Sequence, residues 1–217
     1  MTAVKALACV AAVAVAAALV GCADPSEDPN RKKKVEQKKA QPAEPMSVDD
    51  IQKAYADQVA VIDTDKGRIV VDFYEADAPN TVHNFASLAG HSFYDGLIFH
   101  RIIKGFMIQG GCPLGNGTGG PGWNVNAEFN KQKHMEGTMA MARSSDPNSA
   151  GSQFYICLDP QPSLDGKYTV FGQVLKGMDV VRAIGDVKTD AGDRPVEPVR
   201  IRQIRVMEKS KAEELPE

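Results

Sequence analysis

FHRIIKGFMIQGG, residues Phe99 to Gly111, packs a histidine, an arginine, a glutamine, a methionine and two phenylalanines into one short apolar run. Three readings compete for it: a core strand with stray polar groups, a nucleotide loop announced by the glycines that follow, or the wall of a binding groove. Residues two apart share a face of an extended strand. Met107 and Gln109 then point one way and Ile108 the other. Further along, Gln153 and Tyr155 share a face opposite Phe154 and Ile156. Two strands therefore each place an amide beside a hydrophobe on one face and pure hydrophobe on the other, with Arg101 one strand earlier. Such a surface suits a groove with an apolar floor and a few directed donors. A solvent face carrying isolated apolar residues is the plainer alternative.

Outward from this stretch, the pattern predicts many short strands and few helices. VAVIDT and GRIVVDFY flank Asp65-Lys66-Gly67 as a β-hairpin. Pro79 opens a helix whose apolar residues run from Thr81 to Ala89, and Gly90 is its expected C-terminal cap. LIFHRII, FMIQGG, GTMAMA, SQFYICL and YTVFGQV read as strands between glycine-rich loops. A short helix near Met178 to Ile184 precedes a final strand, Val199 to Met207. Val48 to Tyr55 reads as a lead-in helix. This count predicts a closed or nearly closed β-barrel spanning residues 58–209, with residues 210–217 as a frayed tail.

Several chemistries are disfavoured. Gly115, Gly117 and Gly120 match G-x-G-x-x-G, but Pro121-Gly122-Trp123 follows where a dinucleotide site needs a helix. His83, His91, His100 and His134 show no ligand spacing, so no metal and no cofactor is expected. His100 reads as a core histidine with a satisfied hydrogen bond. Ser144, Ser145 and Ser152 sit in no nucleophile elbow. A net charge of −3 and 6% aromatic residues give no footprint for nucleic acid. Nothing calls for an oligomer, and a monomer is expected.

The N-terminus speaks to compartment. Lys5 precedes an apolar run from Ala6 to Val20, short for a membrane span and suited to a signal segment, residues 1–21. The run ends in Leu19-Val20-Gly21-Cys22, which resembles a bacterial lipobox. That resemblance implies lipidation of Cys22 and an extracytoplasmic protein tethered to a membrane. Residues 22–57 then form a Pro/Lys-rich flexible linker and the lead-in segment. Cys112 and Cys157 read as two buried free thiols, although export would permit a disulfide.

FHRIIKGFMIQGG, GNGTGG, MARSSDPNSAGSQFYI and LDGKYTVFGQV, in this order and spacing, resemble the cyclophilin-type peptidyl-prolyl isomerases, bacterial members most of all. The resemblance runs from about Ala60 to Val206. It implies an eight-stranded antiparallel β-barrel, closed and capped by two α-helices, acting without cofactor on proline-containing peptides and unfolded segments. It also implies roles for particular residues. Arg101 matches the catalytic arginine. Phe106, Met107 and Leu164 match the proline pocket, and Gln109 the amide that orients substrate. Gly117 lines the neighbouring subsite, and Ala142–Arg143 match a backbone segment that bonds the peptide. Gln153 matches a second groove glutamine. Tyr155 stands where phenylalanine is common, Tyr168 where many members have histidine, and Ser163 where some carry tryptophan. A proline-peptide-binding chaperone or scaffold without turnover would keep the same groove; retention of Arg101, Phe106, Met107 and Gln109 favours the enzyme.

Overall fold

A computed structural model describes residues 41–215; the expected signal segment, Cys22 and the expected linker as far as residue 40 lie outside the described residues. The chain forms α1 (Val48–Tyr55), β1 (Gln58–Thr64), β2 (Gly67–Phe73), α2 (Pro79–Gly90), β3 (Arg101–Ile103) and β4 (Met107–Gly110). Then come β5 (Thr138–Met141), β6 (Phe154–Cys157), β7 (Val170–Lys176), α3 (Met178–Gly185), β8 (Ile201–Glu208) and α4 (Lys209–Glu213). All strand pairs are antiparallel, in the order β3-β4-β6-β5-β7-β2-β1-β8.

Alternation sorts the side chains. Ile102, Ile108, Phe154, Ile156, Met139 and Met141 face the main core beneath α2 and α3. At its centre the Phe85 ring of α2 meets the rings of Phe73, Tyr94, Phe154 and Phe171 at centroid distances of 5.0–6.1 Å. Removing these apolar surfaces from water is the main favourable term for the fold. Met107, Ala140, Tyr155, Cys157 and Val170 lie on the opposite face in a separate cluster. α2 has no capping side chain of its own. Glu128, far along the chain, supplies one: its carboxylate accepts from Asn80 N at 3.0 Å and Thr81 N at 2.8 Å. A negative charge at a helix N-terminus is favourable.

Three expectations need correction. The sheet is an open half-barrel, not a closed barrel. The outward N–H of Ile102 donates to Asp193 O at 2.8 Å, so the edge of β3 is occupied by the segment before β8. An isolated bridge, Ile98 to Arg200, and the Gly96 N–H donating to Ile201 O at 2.7 Å link the region ahead of β3 to the start of β8. The lead-in helix is α1 and the two expected capping helices are α2 and α3; a fourth, α4, also occurs among the described residues. The tail does not fray at once, because α4 buries Ala212 against Val59, Val61 and Val70 on the outer face of the sheet. Gly90 is the last residue of α2 and His91 is the cap, its N–H returning to Ser87 O at 3.0 Å.

The lead-in helix docks on α2. Ser47 Oγ accepts from Asp50 N at its start, Ile51 is buried, and the Tyr55 hydroxyl bonds His83 Nδ1 at 3.0 Å. Cys112 and Cys157 are both buried and free.

Gly111 turns the chain out of β4 with φ +83°, a region that strains residues bearing a Cβ. A methyl group there would run into Ser152 O. Gly111→Ala should lower unfolding stability by more than about 2 kcal/mol, read as a fall in urea midpoint with little change in slope. An unchanged midpoint would show that this close approach is not needed.

Candidate active site

Arg101 of β3 lies directly opposite Gln109 of β4, which lies opposite Tyr155 of β6, which lies opposite Ala140 of β5. One pleat further, Ile103 faces Met107, which faces Cys157. Cross-strand neighbours on one face stand close enough to touch. The pairing therefore turns the sequence alternation into a row that runs from cation through amide to aromatic ring, with methionine beside it.

This row borders a cavity of about 330 Å³. Arg101, Phe106, Met107, Gln109, Gly117, Ala142, Arg143, Tyr155, Leu164 and Tyr168 all line it. Gln153 lines the adjoining cavity, of about 560 Å³, which shares Gln109, Gly117, Ala142 and Arg143 with the first. The larger space is walled mostly by glycine loops and small polar residues. The smaller one brings hydrophobes and a guanidinium together, and that is where chemistry has its groups.

Each wall is held by specific bonds. Gln153 Nε2 donates to Gly117 O and Gly119 O, both at 2.8 Å, and its Oε1 accepts from Gln109 Nε2 at 3.1 Å. Cys112 Sγ receives the N–H groups of Gly117 and Gly119 at 3.2 and 3.3 Å. The glycine loop that mimics a dinucleotide motif is thus a fixed groove wall. Arg143 Nη2 donates to Lys167 O at 2.8 Å, and its guanidinium lies 4.6 Å from the Tyr168 ring centroid, joining two loops across the groove. The Ala142 N–H is committed to Gln153 O at 2.9 Å, so a peptide must use other backbone groups of this segment.

The periodic pattern could not point to several further residues. His100, Asn116 and Gly192 also line the smaller cavity, and Trp123 lines the larger. Asp193 approaches Arg101, with Oδ2 3.4 Å from Nε and both side chains nearly half exposed. His100 departs from expectation: it is buried, but neither ring nitrogen has a hydrogen-bond partner among the described residues. Burial first, then the charges of Arg194 and Arg101, hold its pKa down to about 4. Gln153 opposes this only in part, its amide nitrogen being taken by the glycine loop.

Residues 59–206 match the model of the cyclophilin type peptidyl-prolyl cis-trans isomerase family. The chain belongs to the cyclophilin-type peptidyl-prolyl cis-trans isomerases. A peptidyl-prolyl cis-trans isomerase of Synechococcus elongatus is 52% identical over 127 residues, which cover 58% of this chain and 87% of that protein. An Arabidopsis thaliana relative, peptidyl-prolyl cis-trans isomerase CYP18-2, is 42% identical, with 68% of this chain and 92% of its own length covered. A cyclophilin type isomerase of Cryptosporidium parvum, solved in the presence of the dipeptide Ala-Pro, superposes with a TM-score of 0.67. It is 32% identical and covers 69% of this chain and 98% of its own.

His100 gives this cyclophilin-type domain a pH signature. Its folded pKa lies below the ordinary value near 6.5, so its contribution to stability is fully present above that value. The contribution is lost as pH falls towards about 4, where the unfolded chain takes up a proton that the folded domain refuses. Thermal melting should shift down between pH 7 and pH 4.5, and His100→Phe should flatten that slope. Equal slopes for both proteins would assign the effect to other groups.

Proposed function

We propose that this domain accelerates rotation about X-Pro bonds in exported or unfolded proteins, with Arg101 as the catalytic group. One observation carries the reading: sheet register sets Arg101, Gln109 and Tyr155 side by side on the wall of one cavity, with Phe106, Met107 and Leu164 around it. The X-Pro bond turns slowly because amide resonance gives it partial double-bond character, with a barrier of about 18–20 kcal/mol. Twisting the bond breaks that resonance and returns a lone pair to the prolyl nitrogen. A donor cation aimed at this nitrogen interacts with the twisted state more than with either planar one, which lowers the barrier without moving the cis–trans equilibrium.

Arg101 suits the task because a guanidinium stays charged and presents a fork of donors. Its Nε faces Asp193, so the outer nitrogens are the part that meets substrate. Phe106, Met107, Leu164 and Tyr155 supply an apolar seat for the pyrrolidine ring. Gln109 and the Ala142–Arg143 backbone hold the peptide on either side, and Gly117, Gln153 and Tyr168 shape the flanks. None of these steps asks for a metal or an organic cofactor.

Arg101→Ala should lower kcat/KM for a proline tetrapeptide by well over tenfold while leaving the melting temperature near that of the parent. Unchanged turnover would remove Arg101 from the mechanism.

The second part of the proposal concerns place. An apolar run ending in Leu19-Val20-Gly21-Cys22, followed by a Pro/Lys-rich stretch, supports a lipid-anchored monomer working outside the cytoplasm. In bacteria expressing the full chain, the protein should take up labelled fatty acid and sediment with membranes. Cys22→Ala should lose both properties. A variant that still carried the label would refute lipidation at Cys22.

A further inference from the structure

Behind the cavity wall lies a chain of polar groups that the proposed mechanism does not use. The Tyr155 ring lines the cavity, but its hydroxyl bonds His134 Nε2 at 2.9 Å. His134 does not line the cavity, and its side chain is 0% exposed. On its other side, His134 Nδ1 meets Asp165 Oδ1 at 3.1 Å, and the same oxygen accepts from the His134 backbone N–H at 2.9 Å. Lys133 Nζ holds the second carboxylate oxygen at 3.1 Å. The His134 and Tyr155 rings lie nearly parallel, 12° apart, and Tyr168 stands edge-on to both.

This arrangement fixes a tautomer. The backbone N–H of His134, with its side chain and Lys133 adding to the effect, holds the Asp165 carboxyl down to about 2, so it is ionised and acts only as an acceptor. Burial lowers the His134 pKa, with Asp165 opposing. The neutral ring therefore carries its proton on Nδ1, facing Asp165, and offers the Nε2 lone pair to Tyr155. The Tyr155 O–H must then donate away from the cavity. At Tyr155 the proline seat therefore meets an aromatic face and no free hydroxyl.

We propose that His134 is a positioning residue that keeps the Tyr155 hydroxyl out of the proline subsite and so sets its selectivity for an apolar ring. The inference rests on the isomerase reading of the cavity. Its physical basis is an asymmetry. Losing one partner of a buried hydrogen bond strands the other, whereas replacing both by apolar groups of similar shape costs little. Without His134, the hydroxyl has the cavity as its way to a partner, and a wetted hydroxyl there opposes a pyrrolidine ring.

Kinetics on three variants test this. His134→Phe should raise KM for a proline tetrapeptide by about tenfold with kcat within about twofold of the parent. Tyr155→Phe alone supplies the reference KM for a seat without the hydroxyl, and it should lower the melting temperature, since it leaves Nε2 without a donor. The double variant should show the KM of Tyr155→Phe alone, without the tenfold rise, a non-additive rescue that a merely structural role for His134 would not produce. His134→Asn keeps a donor for Asp165 but has no acceptor that reaches Tyr155. It should repeat the KM rise and the rescue if the phenylalanine variant does not fold. A parental KM in the His134 variants, or a double variant that keeps the raised KM, overturns the inference. Parental turnover, measured first, separates the two claims. A parent without turnover defeats the isomerase reading, and dissociation constants for the same peptide, from NMR titration, then test the His134 variants in place of KM.

Discussion

The site depends on a constraint of pleated backbone: neighbouring residues of β3, β4 and β6 must point to opposite faces. Ile102, Ile108, Phe154 and Ile156 bind the sheet to its core, and that burial secures the register. Once the register is set, Arg101, Gln109 and Tyr155 have no freedom about which neighbours they meet. A slip by one residue would drive a guanidinium and an amide into the core and expose the isoleucines. Packing energy on one face thus enforces the geometry of the other.

Charge is distributed to match. Arg101 is the proposed catalytic cation, and its Asp193 partner is a partly exposed carboxylate at 3.4 Å, a contact that orients more than it neutralises. His100 beside it stays neutral, its charged form disfavoured by burial and by two arginines. Asp165 is firmly ionised, but its charge is spent behind the wall on His134 and Lys133. Arg143 also lines the cavity, but its guanidinium is held by Lys167 O and the Tyr168 ring. In the proposed mechanism Arg101 is thus the directed positive charge against apolar surface, the condition in which a charge acts most strongly on a developing lone pair.

The legible part of the fold was what period two and turn residues determine. The eight strands, the hairpin at Asp65-Lys66-Gly67, the helix begun at Pro79 and the shared faces of Met107/Gln109 and Gln153/Tyr155 all follow from local pattern. What stayed hidden rests on pairs distant in sequence. The open edge at β3 exists because Asp193, 92 residues from Arg101, is anchored there by its backbone as well as its side chain. α4 forms because Ala212 finds apolar cover on β1 and β2, although its own sequence is almost wholly charged and polar. His134 and Asp165, 31 residues apart, meet through a loop and a 3₁₀ turn, neither of which carries a periodic signal. His100 misled for a related reason. A histidine in an apolar run says that it is buried, but only neighbours from other segments decide whether its nitrogens are satisfied.

The loops complete the division of labour. A roughly 10⁵-fold acceleration requires about 7 kcal/mol, and one charge-assisted hydrogen bond supplies only about 1.5–3. The remainder must come from holding substrate where that bond is made only in the twisted state. Strands place the cation, but the peptide is gripped by segments without regular structure, and these must be stiff. Here they are stiffened by side chains that spend their hydrogen bonds on loop backbone. Gln153 and Cys112 hold the glycine loop, and Arg143 ties its own segment to Lys167. Polar residues around the groove are therefore of two kinds: Arg101 and Gln109, which the proposed mechanism brings to substrate, and a surrounding set whose donors are engaged by loop backbone. The second kind keeps the first in place, which is how the cavity can hold its geometry through a rotation of the bound chain.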